Sequence, residues 1–313
     1  VTAAQTAIPW SPDDPDPEEA APEEAAPEDV DAEIDAILAG ARPTRRHANA
    51  KTDRPARRFD TTSLHFDVHG GIVSHADYIA HSEKWDYVWR SIKMGDRLLD
   101  VGCGTDQMLI RAICGTQAQA TKLLHKNGGC YVGVDLNKIK PTGISWAELI
   151  GELDVTSEVG YTTALMAIPG NEVGDGDLRG YTLIACLEVI EHMGVEDGAR
   201  MLENLRDLLA PEGRIVLSTP VYDGRAMARN HVHEYYVTEL AELIYSVGLA
   251  VERRMGTFTA EPQLKRWLKA NRPDWLALYM EAREFHSAGY MSGVLAPMLP
   301  DQSRNNVWVL KRP

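Results

Sequence analysis

The chain has 313 residues, 44% of them hydrophobic, with four cysteines and a formal net charge of −14. That length allows one large domain with additions or two modest ones, and no apolar run reaches the roughly eighteen residues of a membrane helix. The acidic start also lacks the apolar stretch of a secretion signal. The charge excludes less than it suggests. Residues 1–40 hold twelve acids, from Asp13 to Asp35, and no Lys or Arg, so the remainder has 34 acids against 32 bases. A nearly neutral body leaves an anionic substrate open.

Residues 1–60 read as a tail, acidic and then basic. Positions 11–33 combine proline, alanine and acid with almost nothing to bury, the composition of a disordered segment. The stretch from Arg42 to Arg58 is either a nucleic-acid-contacting arm or a solvated linker, and the absence of interleaved aromatics favours the linker. Residues 61–95 form a helical segment, with a helix over His75–Ile92 whose Tyr78, Trp85, Val88, Trp89 and Ile92 recur at helical spacing. His75, Tyr78, His81 and Trp85 on it either wall a site or pack against a sheet. From 96 to 256 strands alternate with helices. Strands are expected at Arg97–Val101, Tyr131–Asp135, within Leu149–Val155, at Tyr181–Leu187, Arg214–Thr219 and Leu249–Glu252. Helices are expected through Leu109, Ala112 and Ile113, through Met201–Leu209, and from a cap at Thr238 to Gly248. Residues 257–305, rich in Trp and Tyr, interrupt the pattern as a helical cap that either closes over a substrate or shields a sheet edge. A final strand fills 306–313. Such alternation predicts an α/β fold with a mostly parallel sheet covered on both faces.

Cys103, Cys114, Cys130 and Cys186 make no C-x-x-C pair and lie in or near apolar segments. They read as reduced, buried thiols of a cytoplasmic protein, not as a disulfide framework or a zinc site.

Ligands of open α/β sheets lie beyond the carboxyl ends of the strands. The first strand runs into "LLDVGCGTD", whose Gly102 and Gly104 let the backbone approach a ligand closely. Asp100 and Asp106 flank that turn and would repel a phosphate there. At ~4 Å and an effective dielectric of ~20, each like-charge pair costs about 4 kcal/mol. S-adenosylmethionine, with an ammonium, a sulfonium and no phosphate, is attracted instead. Asp106 also suits the first turn of a helix on structural grounds alone. Asp135 in "YVGVDLN" and Asp154 in "GELDVTS" then close two further strands, where acids can accept bonds from ribose hydroxyls and from an adenine amino group.

With these motifs, together with "YTLIACLEVIEHM", "PEGRIVLSTP" and "NNVWVL" in that order, the chain resembles the class I S-adenosylmethionine-dependent methyltransferases. The resemblance covers about residues 96–256 plus the last strand. It implies a Rossmann-like, seven-stranded, mostly parallel sheet whose last strand is antiparallel. It also implies a cofactor held by Asp100, Gly102, Cys103, Gly104, Asp135, Leu136, Asp154, Val155 and Leu187. Asp106 departs from the family's third glycine, and the 31 positions between Gly104 and Asp135 exceed the usual spacing.

After the fourth strand, Glu188, Glu191 and His192 share one face if the segment is helical, at i, i+3 and i+4. His231 and His233 follow the fifth strand. Two carboxylates plus imidazoles suit a divalent metal such as magnesium or manganese, nitrogen ligands leaning toward manganese. This cluster resembles that of the metal-dependent small-RNA 2′-O-methyltransferases. That resemblance implies Glu188, Glu191, His192 and His233 as ligands, with His231 as the other choice for the last. It equally resembles ubiquinone-type and other small-molecule O-methyltransferases, where the same residues serve as base or packing. Methyl transfer needs alignment plus a base for a hydroxyl nucleophile, and His192 is the natural base beside Glu188 and Glu191.

The expectation is an enzyme that moves a methyl group from S-adenosylmethionine to a hydroxyl of an unnamed acceptor, a small molecule or a nucleic acid, with no membrane partner. Metal-assisted 2′-O-methylation of RNA is the neighbouring alternative, and a non-catalytic binding module with the same fold is another. A nicotinamide-dependent oxidoreductase is disfavoured by Asp106 and by the lack of a G-x-G-x-x-G run.

Overall fold

The computed structural model describes residues 76–104, 109–110, 124–140, 144–172, 178–224, 227–286 and 288–313. The expectations for residues 1–75, Asp106, Cys114 and the helix through Ala112 and Ile113 lie outside them. So do the side chains of Tyr78 and His81.

Seven strands, β1 (Arg97–Val101), β2 (Cys130–Val134), β3 (Ala147–Ile150), β4 (Tyr181–Leu187), β5 (Leu209–Pro220), β6 (Ala250–Phe258) and β7 (Asn305–Lys311), form one sheet in the order 3-2-1-4-5-7-6. β1 pairs in parallel with β2 and β4, and β4 with β5. β7 runs antiparallel to both β5 and β6. The chain steps outward one way from β1 to β3 and the other way from β4, so the strand order reverses between β1 and β4. That reversal opens a crevice at the carboxyl ends of these two central strands.

The near-continuous apolar strands reflect burial on both faces. Leu99 and Val101 of β1 face a core shared with α3 (Val195–Leu208) and α4 (Val237–Ser246), whereas Leu98 faces Val88 and Ile92 of α1 (Ala76–Ser91). In α3, Met201, Leu202, Leu205 and Leu208 are fully buried on one stripe, each contributing about 1.5–3 kcal/mol of apolar transfer. A short α2 (Glu158–Met166) starts where Ser157 Oγ accepts the Gly160 N–H at 3.0 Å.

Several boundaries differ from the expectation for local reasons. The third strand ends at Ile150, so Asp154 lies in the turn that opens α2, not at a strand tip. Its Oδ1 accepts both the Thr156 N–H (2.9 Å) and the Thr156 hydroxyl (2.7 Å), a closed local turn. Thr238 does not cap α4. The helix begins at Val237, and Glu239 reaches back to accept the Tyr236 N–H at 3.2 Å. β6 continues to Phe258, and the helices beyond it, α5 (Glu261–Asn271), α6 (Pro273–Ala282) and α7 (Ala288–Leu295), occupy the interval before β7. Leu264, Leu268, Tyr279 and Leu299 give these helices their own small core. Arg254 of β6 ties the segment to the sheet, pairing with Asp301 and lying 5.4 Å above the Trp308 ring. Among the described residues no helix is long and apolar enough to cross a membrane.

Candidate functional site

The glycine turn leaves β1 at the switch point. Gly102 and Gly104 adopt left-handed backbone, with φ of +67° and +73°. A Cβ on Gly102 would come within 2.4 Å of Val189 Cγ2, whereas one on Gly104 would meet nothing within 4 Å among the described residues. Main-chain donors fix the turn: Gly102 and Cys103 N–H groups donate to the Val134 carbonyl at 2.9 and 3.1 Å. The Gly104 N–H donates to Asp135 Oδ2 at 2.9 Å. Asp135 Oδ1 accepts the Asn137 N–H (2.8 Å) and side-chain amide (3.0 Å). Each carboxylate oxygen has about two acceptor sites, so Oδ2 keeps capacity for a ligand hydroxyl. Beyond it, Leu136 is 66% exposed, an apolar surface at a strand end. The Leu153 N–H donates to the Asp135 carbonyl at 2.9 Å, which places the exposed Asp154 and the core residue Val155 near the same strand end. Leu187 is half-buried at the tip of β4.

Asp100 differs from its expected part. It is only 3% exposed, beneath the turn, and accepts the Tyr131 hydroxyl at 2.6 Å. Burial pushes its carboxyl up to about 7, with the Tyr131 bond opposing and Asp135 adding to the rise. It therefore does not present a full surface charge to a ligand. The buried Cys103 thiol is held well above its ordinary range by burial and by Asp100 and Asp135, which leaves it unreactive.

Past β4 the helical spacing expected for Glu188, Glu191 and His192 is not realised. Glu188 has a left-handed φ of +58°, and only Ile190–His192 form a tight 3₁₀ turn. Such a backbone on a residue with a Cβ costs of order 1–3 kcal/mol and separates the two carboxylates. Glu188 turns toward α1, where its Oε1 lies 2.9 Å from Lys84 Nζ and accepts the Ser218 hydroxyl at 2.8 Å. The Asn305 amide donates to both oxygens, at 2.9 and 2.8 Å. Glu191 turns the other way and accepts the Thr219 hydroxyl at 3.1 Å. Ser218 and Thr219, consecutive in β5, point to opposite faces of the sheet and each receives one glutamate.

The structure brings Glu191 together with His192 and His231: one oxygen or nitrogen from each lies within 4.8 Å of the others. His192 Nδ1 is 2.9 Å from the Asn230 carbonyl, so Nδ1 carries the proton and Nε2 keeps a lone pair. His231 Nδ1 meets Glu234 Oε1 at 2.5 Å, which orients its ring likewise. The two rings meet edge to face, with centroids 5.1 Å apart. Glu191 is fully buried, and its Oε1 has no hydrogen-bond partner among the described residues. Burial and the nearby Glu188 carboxylate push its carboxyl up to about 8, while Lys84 and the Thr219 bond oppose the rise.

His233 is drawn elsewhere. Its Nε2 bonds Glu239 Oε1 at 2.7 Å, and its ring packs on Tyr235. Of the two later histidines it is therefore His231 that joins the cluster, and Glu188 stands apart with Lys84. A buried carboxylate oxygen without a partner beside two imidazoles with held Nδ1 groups is a donor set that fits a divalent ion. Sequence reasoning missed Lys84, Ser218, Thr219, Asn230, Glu234 and Asn305. One signal was available: Lys84 stands four and eight positions before Val88 and Ile92, a lysine on the apolar stripe of α1.

Residues 74–271 match a family described as a methyltransferase domain. The small RNA 2′-O-methyltransferase of Rattus norvegicus is 33% identical over 130 residues, 40% of this chain and 29% of that protein. The ubiquinone biosynthesis O-methyltransferase of Coxiella burnetii is 23% identical over 185 residues, 59% of this chain and 66% of that protein. The chain thus spans less than a third of the first relative and just under two thirds of the second. Among solved structures, the magnesium protoporphyrin IX methyltransferase of Synechocystis PCC 6803 aligns at 14% identity and a TM-score of 0.41, covering 76% of this chain and 82% of that one. The Burkholderia thailandensis 1,6-didemethyltoxoflavin-N1-methyltransferase aligns at 14% identity and a TM-score of 0.43, covering 94% and 93%.

Proposed function

This chain belongs to the methyltransferase-domain family, and from that premise we propose that it transfers a methyl group from S-adenosylmethionine to a hydroxyl of its acceptor. One observation carries the reading. The glycine turn with Asp135 and the His192 imidazole, its Nε2 lone pair set by the Asn230 carbonyl, both lie past the ends of β1, β2 and β4. When bound, S-adenosylmethionine supplies an electrophilic methyl on a sulfonium.

The chain's own residues bind, orient and accept a proton. Gly104 leaves open space for a ligand, and Asp135 Oδ2 accepts from a ribose hydroxyl while bound to the Gly104 N–H. Leu136 offers its exposed side to an adenine face. His192 Nε2 takes the acceptor's proton as the in-line displacement proceeds, and the resulting imidazolium is stabilised by the Asn230 carbonyl at Nδ1.

A second reading is favoured by the proximity of Glu191, His192 and His231. These three would hold a divalent ion, and two imidazoles lean it toward manganese over magnesium. An ion held by them would orient a hydroxyl and lower its pKa, the chemistry of 2′-O-methylation of an RNA end. The acceptor is a small hydroxylated molecule on the first reading and a nucleic acid on the second. We place the protein in the cytoplasm, a reading supported by Cys103, Cys130 and Cys186, which are buried thiols.

Calorimetry tests the core claim: the chain should bind S-adenosylmethionine or its demethylated product and not NADH, and the reverse result ends it. Incubation with labelled S-adenosylmethionine and separate pools of RNA, DNA and small hydroxylated metabolites then reads the acceptor. Retained incorporation in excess chelator removes the metal reading. His192→Ala should lower turnover at least a hundredfold with cofactor affinity unchanged.

A further inference from the structure

A lysine side chain that is 1% exposed is rare in any fold. Lys84 enters from α1 and ends 2.9 Å from Glu188 Oε1. Glu188 is itself held in left-handed backbone, with its N–H donating to the Ser218 carbonyl at 3.0 Å. The next residue, Val189, packs against Gly102, and the one after begins the 3₁₀ turn that carries Glu191 and His192. Two carboxyl groups three positions apart thus sit in low-dielectric surroundings, and the field of the Lys84 ammonium acts on both.

We propose that Lys84 is a positioning residue for methyl transfer: its ammonium anchors the Glu188 carboxylate, and through the Glu188 backbone it holds the turn that presents Glu191 and His192. The inference rests on the methyltransferase reading for its purpose, though not for its geometry. Ser218 and Asn305 bind Glu188 to the sheet, whereas Lys84 binds it to α1 and supplies a charge that neither neutral donor carries. Without the ammonium, Glu188 rotates toward solvent, its left-handed backbone relaxes, and the Val189–His192 segment leaves Gly102. The helix before β1 is then part of the site's machinery and not merely a cover for the sheet.

The test compares the full chain with Lys84→Met, Lys84→Arg and the double variant Lys84→Met/Glu188→Gln, which removes both buried charges while keeping amide bonds to Ser218 and Asn305. Three readouts are followed: thermal unfolding, affinity for S-adenosylhomocysteine, and the ring-nitrogen NMR resonances of His192. In the wild type the Asn230 bond fixes one tautomer and keeps the Nδ1 and Nε2 signals far apart. In both Met-containing variants these signals should converge toward their average, with the double variant folded and its S-adenosylhomocysteine affinity within threefold of wild type. Lys84→Arg should keep most of the separation. A wild-type His192 pattern in the double variant overturns the proposal. So does a double variant that fails to fold, because Lys84 would then be a structural element and no more. Failure of the wild type to bind S-adenosylhomocysteine would instead sink the functional reading and leave the His192 readout standing.

Discussion

The two halves of the site are built by different means. The glycine turn is fixed mainly by the main chain close to the sheet: the Gly102 and Cys103 N–H groups bond the carbonyl of Val134, which ends the adjacent strand, and the Gly104 N–H bonds the side chain of Asp135, the next residue. The glutamate–histidine half is fixed by contacts between distant elements. Glu188 depends on the side chains of Lys84 in α1 and of Asn305, 117 positions away, and His192 depends on the main-chain carbonyl of Asn230. Backbone-held geometry survives side-chain substitution as long as the dihedral angles are allowed. Side-chain-held geometry fails when one partner is lost, because the other is left with unmet charge.

The largest effect should come from breaking the side-chain half. Glu188→Ala leaves the Lys84 ammonium buried without its carboxylate, and stability should fall by about 3–5 kcal/mol in denaturant unfolding. A loss under about 1 kcal/mol would mean the pair is solvated in solution.

The next prediction concerns charge beneath the turn. Asp100 has a folded-state pKa raised to about 7 from an ordinary 3.8, so the folded state binds more protons than the unfolded one across that interval. Its contribution is complete below the lower value and is lost as pH rises through the upper one. The integrated effect is roughly 4 kcal/mol at most, about 1.4 kcal/mol per unit. Unfolding free energy should therefore decline from pH 4 to pH 7, and Asp100→Asn should flatten part of that slope. An unchanged slope would show that Asp100 is ionised as in water. Glu191, raised to about 8, adds a decline of the same sign that persists in this variant.

Gly102→Ala probes the backbone half. The left-handed φ of +67° and the approach to Val189 act together, and about 2–3 kcal/mol of destabilisation is expected. Affinity for S-adenosylhomocysteine should drop at least tenfold. Gly104→Ala, which meets open space, should keep the fold better and lose affinity all the same.

The smallest effects separate the later histidines. His233→Ala removes a half-exposed bond to Glu239 and should cost no more than about 1 kcal/mol with turnover intact. His231→Ala should change stability little and depress turnover tenfold or more. Equal turnover in the two variants would dissolve the grouping of Glu191, His192 and His231.

The contrast between the halves also explains what could be read in advance. The strands around Leu98–Val101, Tyr131–Val134 and Tyr181–Leu187 were legible because each is a short apolar run closed by Gly or an acid, namely Gly102, Asp135 and Glu188. The turn after β1 was legible because its glycines are a local requirement. Asp154 was misplaced because its carboxylate serves Thr156 two positions on, a bond that competes with strand continuation and leaves no periodic trace. Thr238 was misread as a cap because the helix already begins at Val237, where Glu239 accepts the Tyr236 N–H. The Glu188–His192 segment was misread because helical spacing describes i, i+3 and i+4 only if the backbone is helical, and Glu188 is not. His231 and His233 look equivalent in "RNHVHEYYVTEL", and their partners distinguish them, Glu234 for His231 and Glu239, in the first turn of α4, for His233.

The order of residues alone determined the alternating α/β pattern, the mostly parallel sheet and the glycine turn with Asp135, because hydrophobic periodicity and glycine conformation act over a few residues. Only the tertiary structure decided that Asp100 is buried, that Glu188 faces Lys84 and that His231 joins Glu191. Those outcomes depend on desolvation and on charge pairing between segments tens to a hundred positions apart. No local pattern encodes which of several carboxylates a given cation will meet.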